Sequence, residues 1–128
     1  MRILICGNRH WKDWRLMKSF IESLPLDTII IEGECVGADK QSRIFAEKRG
    51  IQVLRFPADW EKYGKGEGVI RNTQMLIEGK PDIVVAFHND IENSKGTKNM
   101  IAQSLKKELN VYLNPITIEK VEENRYFG

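Results

Sequence analysis

The sequence predicts an α/β domain of Rossmann-like form: a three-layer sandwich with a mainly parallel sheet of five strands, or six, and helices on both faces. Three observations carry this expectation. Short aliphatic runs, rich in β-branched residues, recur near residues 2–6, 28–32, 52–56, 83–87 and 111–113. Between them lie segments whose apolar residues fall at helical spacing. The two kinds alternate as β-α-β-α-β-(loop)-α-β-α-β, the order that gives a parallel sheet covered by helices.

Arg2 to Cys6 is an apolar run closed by Gly7, as suits a strand buried on both faces. Gly7-Asn8-Arg9-His10 then turns the chain. Asp13 is the N-cap of a helix from Trp14 to Leu24, with Leu16, Met17, Phe20, Ile21 and Leu24 on one face and Pro25 as its stop. Thr28 to Glu32 is the second strand. Gly33 to Asp39 breaks it and feeds a helix through about Arg49, with Ile44 and Phe45 facing the core and Gly50 ending it. Gln52 to Phe56 is the third strand, and Pro57 opens an aromatic, glycine-rich loop. A helix from Val69 to Glu78 follows, with Ile70, Met75, Leu76 and Ile77 as apolar positions and Gly79 as terminator. Ile83 to Phe87 is the fourth strand and His88 to Lys95 a polar loop. Gly96-Thr97 starts a helix to about Asn110, and Val111 to Leu113 is the fifth strand. Residues 1–114 thus form one domain. Residues 115–128 form a C-terminal tail whose alternation of Ile116, Ile118 and Val121 reads as an edge strand or an extended arm.

Composition narrows the function classes. A chain of 128 residues is long enough to bury a real core as one domain. Its net charge of +2 lacks the strong basic footprint of a dedicated duplex-DNA binder, so nucleic acid is not the expected partner. Cys6 and Cys35 lack metal-ligand spacing and are too few for a disulfide scaffold, which fits buried thiols in a reducing compartment. The opening apolar run is too short for a signal sequence or a membrane span, so a cytoplasmic protein with no membrane partner is expected.

In open parallel sheets, ligands sit outside the carboxyl ends of the strands, where strand order reverses. Four unusual stretches of this chain fall on that edge: Gly7-Asn8-Arg9, Gly33 to Asp39, the loop from Phe56 to Asn72, and His88 to Thr97. Gly37-Ala38 and Gly96-Thr97 stand at helix starts, where free N–H groups and the helix dipole favour phosphate. Arg9 and Arg71 are bidentate donors for phosphate or carboxylate, and Trp60 or Tyr63 can stack on a base. Each residue also has a structural reading: the glycines serve turns, the arginines pair with Asp39 or Glu67, and Asp39 acts as a cap. His10 and His88 read as exposed loop residues, with no partner cluster for a metal. No G-x-G-x-x-G follows the first strand, and neither a G-x-x-x-x-G-K-[ST] loop nor a G-x-S-x-G elbow is present. No cofactor is required by any motif.

Four blocks resemble the YspA-like, cpYpsA-related branch of the SLOG superfamily, which is named for the Smf/DprA DNA-processing proteins and the Lonely-guy enzymes. They are Gly7-x-Arg9 with Asp13; Gly33-x-x-x-Gly37-Ala38-Asp39; Phe56-Pro57-Ala58-Asp59-Trp60 through Tyr63-Gly64-Lys65 to Gly68, Arg71-Asn72 and Met75; and Lys95-Gly96-Thr97 with Asn99-Met100. The resemblance spans roughly Met1 to Asn114. It implies a Rossmann-like domain that binds a nucleotide or nucleotide-derived ligand through Gly7, Arg9, Gly33, Gly37, Ala38, Asp39, Trp60, Gly68, Arg71, Asn72, Gly96 and Thr97. It also allows a homo-oligomer, although no dimer seam is readable. This chain departs from the pattern at Glu34, which would repel a phosphate set against it, at Val36, and in its longer polar loop at 88–94. The phosphoribohydrolase relatives carry a catalytic glutamate where this chain has Met100, so hydrolysis by that route is not expected.

The leading expectation is therefore a module that senses or sequesters a nucleotide-type ligand. One alternative is a hydrolase of the N-glycosidic or phosphate bond, with Asp39, Glu67 or Asp59 as general base. Another is single-stranded nucleic-acid binding, with Trp60 and Tyr63 as stacking platforms.

Overall fold

The computed structural model describes residues 1–59 and 64–126, the side chain of Lys65 excepted. The alternation of apolar residues along the strands sets its layers, because successive strand side chains point to opposite faces. On β1 (Arg2–Gly7), Ile3 and Ile5 enter one core while Leu4 and Cys6 enter the other. The same parity runs through β2 (Ile29–Glu32), β3 (Gln52–Arg55) and β4 (Ile83–Phe87). Ile30, Val53, Val85 and Phe87 join the first core; Ile31, Leu54, Val84 and Ala86 join the second. Both faces therefore need cover. Helices α1 (Trp14–Glu22) and α2 (Ala38–Lys48) close one, and α3 (Glu67–Gly79) and α4 (Lys95–Lys106) close the other.

With β5 (Val111–Leu113), the strands order as β3-β2-β1-β4-β5, and every neighbouring pair is parallel. β1 runs beside β4 from Ile3 opposite Ile83 to Gly7 opposite Phe87. Strand order reverses between these two strands, so their carboxyl ends mark the crevice where this fold places ligands. Phe87 anchors that end: the rings of Trp11 and Phe20 meet it edge-on at 5.8 and 5.5 Å. Among the described residues, no helix is long and apolar enough to cross a membrane.

Four expectations are corrected. Ile70 and Ile77 do not face the core; with Val69 they are exposed on α3. The inward stripe of that helix is Arg71, Asn72, Met75, Leu76 and Gly79, and the polar pair at its start hides the apolar period. Ile44 is likewise exposed, while Ala38, Ser42 and Ala46 take the inner face of α2. The tail is not an edge strand. Ile118–Asn124 is a 3-10 helix, followed by a single antiparallel bridge between Arg125 and Tyr112. Ile118 and Val121, three residues apart, match the three-residue turn and both pack on the first core. The described sheet therefore has five strands. The last long helix also ends earlier than expected, at Lys106, because Glu108 turns into the left-handed region at φ 62°.

Gly7 is fixed by this packing. A side chain there would collide with the Phe87 carbonyl oxygen and with the Ala38 side chain. Gly7→Ala is expected to lower unfolding free energy by about 2–4 kcal/mol. Gly66→Ala, at a residue with open space around it, should change it by less than about 1 kcal/mol. Urea unfolding of both variants checks the contrast.

Candidate functional site: a cavity where strand order reverses

The carboxyl ends of β1 and β4 open into a cavity of about 520 Å³, within the range of small-molecule sites. Its floor is soft and apolar, made by Cys6, Met75 and Met100, each at most 7% exposed. Its walls come from Asn8, Arg9 and His10 after β1, from the start of α3, and from the segment between β4 and α4. Burial pushes the Cys6 thiol far up, with Asp39 adding to the rise against Arg71, so Cys6 stays a neutral wall.

Arg71 and Asn72 brace these walls. Arg71 is buried, and its Nη1 donates to the Gly33 carbonyl at 2.6 Å and to Cys35 Sγ at 3.6 Å. Its Nε donates to Asn72 Oδ1 at 3.3 Å. Asn72 Nδ2 in turn donates to the Gly96 carbonyl at 3.2 Å and to Asn99 Oδ1 at 3.1 Å. One helix thus holds both the loop after β2 and the start of α4. Among the described residues, Nη2 of Arg71 has no acceptor, and Arg71 lines the cavity. The pairing of Arg71 with a carboxylate, weighed from sequence, is replaced by these carbonyl and amide partners.

Asp39 faces Arg71 across the cavity wall. Its Oδ2 accepts from the backbone N–H groups of Gly33 and Cys35 at 3.1 and 3.3 Å. Burial pushes its carboxyl up to about 6, against the downward pull of Arg71 and the two N–H groups. Glu32 lies fully buried beneath the same loop and accepts from Glu34 N at 2.7 Å. Burial pushes it up to about 7, offset in part by the Glu34 N–H, while Asp39 adds to the rise. Glu34 itself pairs with Arg55. That contact is why its charge does not line the cavity.

The helix starts differ in what they leave free. At α2, Ala38 N donates to Asn8 O at 3.1 Å and Lys40 N to Cys35 O at 3.1 Å, so protein carbonyls take two of its first three N–H groups. Gly37 sits at φ 79° with the Asn8 and Arg9 backbone where a side chain would go, and Gly33 has the Arg71 guanidinium there. The glycines expected to admit a ligand admit protein instead. At α4, Ser94 Oγ caps Thr97 N at 3.2 Å. Among the described residues, the N–H groups of Lys95 and Gly96 have no acceptor, and a side chain at Gly96 would meet open space. This start is open.

Of the residues singled out from sequence, Gly7, Arg9, Asp39, Gly68, Arg71, Asn72, Gly96 and Thr97 line the cavity. Gly33, Gly37 and Ala38 stand behind it. Trp60, like Tyr63, lies outside the described residues. Glu67 and Asp59 line a separate groove along α3, away from the cavity. Sequence reading missed His88, expected to be exposed. It is 6% exposed and lines the cavity. The signal was strand parity, because residue 88 continues the buried series Val84, Ala86. Among the described residues, no group of three or more His, Cys, Asp or Glu is placed to hold a metal ion.

The comparisons with known proteins agree with this architecture. The model of the YspA, cpYpsA-related SLOG family matches residues 1–63. The Gene 61 protein of Mycobacterium phage D29 is 32% identical over 114 residues, covering 82% of this chain and 89% of that protein. The chain belongs to the YspA, cpYpsA-related SLOG family. Membership in this SLOG family links it at a coarse level to nucleotide-related binding or processing. The X-ray structure of DNA processing protein A (DprA) from Streptococcus pneumoniae shares the fold, with a TM-score of 0.67 over 88% of this chain at 14% identity. This chain spans about half of that one, 49% of its length.

The raised carboxyls make a pH prediction. Both hold protons in the folded state that the unfolded chain has released, so their contribution favours folding at low pH. It is lost as pH rises from about 4 through the folded values near 6 and 7. Glu32→Gln keeps an acceptor for Glu34 N and removes the charge. It should flatten the decline, gaining about 1–3 kcal/mol over wild type at pH 8 and little at pH 4. Urea titrations across that range check it.

Proposed function

We propose that the cavity binds a nucleotide or nucleotide-derived ligand, sensing or sequestering it, with its phosphate on the open start of α4. The observation that carries this reading is the pair of N–H groups at Lys95 and Gly96, unpartnered among the described residues, in a cavity also lined by Arg71 with its spare Nη2. Backbone donors at a helix start, a guanidinium and an absent side chain together suit a phosphate. The polar groups of Asn8, Asn93 and Asp90 on the walls suit a sugar or base, and the floor of Cys6, Met75 and Met100 suits a flat ring through sulfur contacts. The family link and the fold likeness point the same way.

One observation favours a second reading, a nucleotide hydrolase. Asp39 lies in the cavity with its carboxyl raised to about 6, the range of a general acid or base near neutrality. Glu67 and Asp59 are not placed for that role, and Met100 gives the floor no acid. Incubation with candidate nucleotides separates the readings: product that Asp39→Asn abolishes without loss of binding would favour the enzyme.

Thermal unfolding with AMP, ADP-ribose, NAD and cyclic nucleotides tests binding, since a ligand at 100 times its dissociation constant adds about 2.7 kcal/mol. Gly96→Ala isolates the phosphate seat. Unliganded, it should be as stable as wild type or gain up to about 1 kcal/mol, because alanine is the better helix residue. Its affinity for the best of these ligands should fall at least about tenfold, a loss of ~1.4 kcal/mol. Unchanged affinity would remove the phosphate from the start of α4.

A further inference from the structure

We propose that His88 donates its Nε2–H to an uncharged acceptor on the ligand, a hydroxyl, carbonyl or ring-nitrogen atom of the nucleoside part, and so helps to select what the cavity holds. The inference rests on the ligand-binding reading of the cavity and adds a residue that none of the family motif blocks contains.

The ring is held in one state by its neighbours. Asp90 N donates to His88 Nδ1 at 2.8 Å. Nδ1 is therefore the acceptor, and a neutral imidazole carries its proton on Nε2. The backbone is fixed as well: His88 N donates to Asn114 Oδ1 at 2.9 Å, and Asn114 Nδ2 donates back to His88 O at 3.0 Å. Asn114 can turn its amide there because it sits in the left-handed region at φ 52°, just past β5. One hydrogen bond to the ring and two to the backbone thus position a residue that is 6% exposed.

Nε2 is left over. Among the described residues it has no acceptor, and His88 lines the cavity together with Cys6 and Met100. Nε2 is not sealed in the protein, so it stays open to solvent, and a ligand acceptor can take the place of water there. Burial pushes the imidazole down, with Asp90 pulling it partly back, which keeps the ring neutral. The charged and titratable groups sharing the cavity are Cys6 on β1, Arg9 and His10 after it, Cys35 after β2, Asp39 on α2, Arg71 on α3, Asp90 before α4 and Lys95 on it. The cations among them, with the open start of α4, already answer the phosphate. A neutral donor complements an uncharged atom instead.

Two substitutions separate the two ring nitrogens. His88→Asn places an amide oxygen near the position of Nδ1, keeping an acceptor for Asp90 N and removing the Nε2 donor. His88→Gln places an amide donor near Nε2 and removes the acceptor. Calorimetry on the full chain would use AMP, ADP-ribose, NAD and inorganic phosphate as probes. His88→Asn should melt within a few degrees of wild type, bind inorganic phosphate as wild type does, and bind the tightest nucleotide probe roughly tenfold more weakly. His88→Gln should melt lower and recover part of that nucleotide affinity. In wild type, the imidazole Nε2 signal in 15N spectra should report the Nε2–H form and shift on adding the nucleotide. Nucleotide affinity of His88→Asn equal to wild type overturns this inference and leaves the cavity reading standing. A wild-type chain that binds none of the probes overturns both.

Discussion

Arg71 and Asn72 are adjacent on one helix, yet they reach two different loops. Arg71 grips the carbonyl of Gly33 after β2, and Asn72 grips the carbonyl of Gly96 at the start of α4. This brace ties the two walls of the cavity to one helix, so their separation follows from the position of α3. Hydrogen bonds from a charged donor are worth about 1.5–3 kcal/mol, and leaving a buried guanidinium unpaired costs more. The same residue that holds the wall also keeps an unspent donor edge for the cavity. Structure and recognition are thus loaded on one side chain.

The brace also explains the electrostatics of the loop it holds. Gly33 to Cys35 is clamped from one side by Arg71 and from below by Asp39, which accepts two of its N–H groups. Gly33 has no side chain because the guanidinium lies where one would be. Glu32 and Asp39 pay in desolvation for their place under this loop, and both carboxyls rise in consequence. The cavity therefore presents a mixed field: Lys95 and Asp90 line it near the start of α4, and Arg71 and Asp39 line it near the loop before α2. A ligand with one anionic end and one neutral, hydroxylated end matches such a field better than a uniformly charged one.

Much of the fold was legible in the sequence because strand and helix periods differ and alternate. The parallel sheet, its two-sided burial and the loops at its carboxyl edge follow from the β-branched runs and the residues between them. The site was legible as an edge rather than as contacts. Gly37 and Gly96 look alike in sequence, each before a helix, but one is closed by the Asn8 carbonyl and the other is open. Only the path of the loop after β1 separates them. Ile70 and Ile77 misled because Arg71 and Asn72 occupy the inward stripe, so polarity masked the helical face. His88 was hidden by a polar loop that begins one residue after its own burial ends.

The central claim is that the cavity between β1 and β4 takes a nucleotide-type ligand with its anionic end on the start of α4. Backbone amide shifts, followed by NMR as AMP, ADP-ribose or NAD is added, test this most directly. The account predicts the largest changes at the amides of Lys95 and Gly96, with smaller ones at Asn8 and His88 and little at Ala38 and Lys40, whose N–H groups are already bonded. Changes centred on α2, on the groove along α3, or nowhere at all would contradict it.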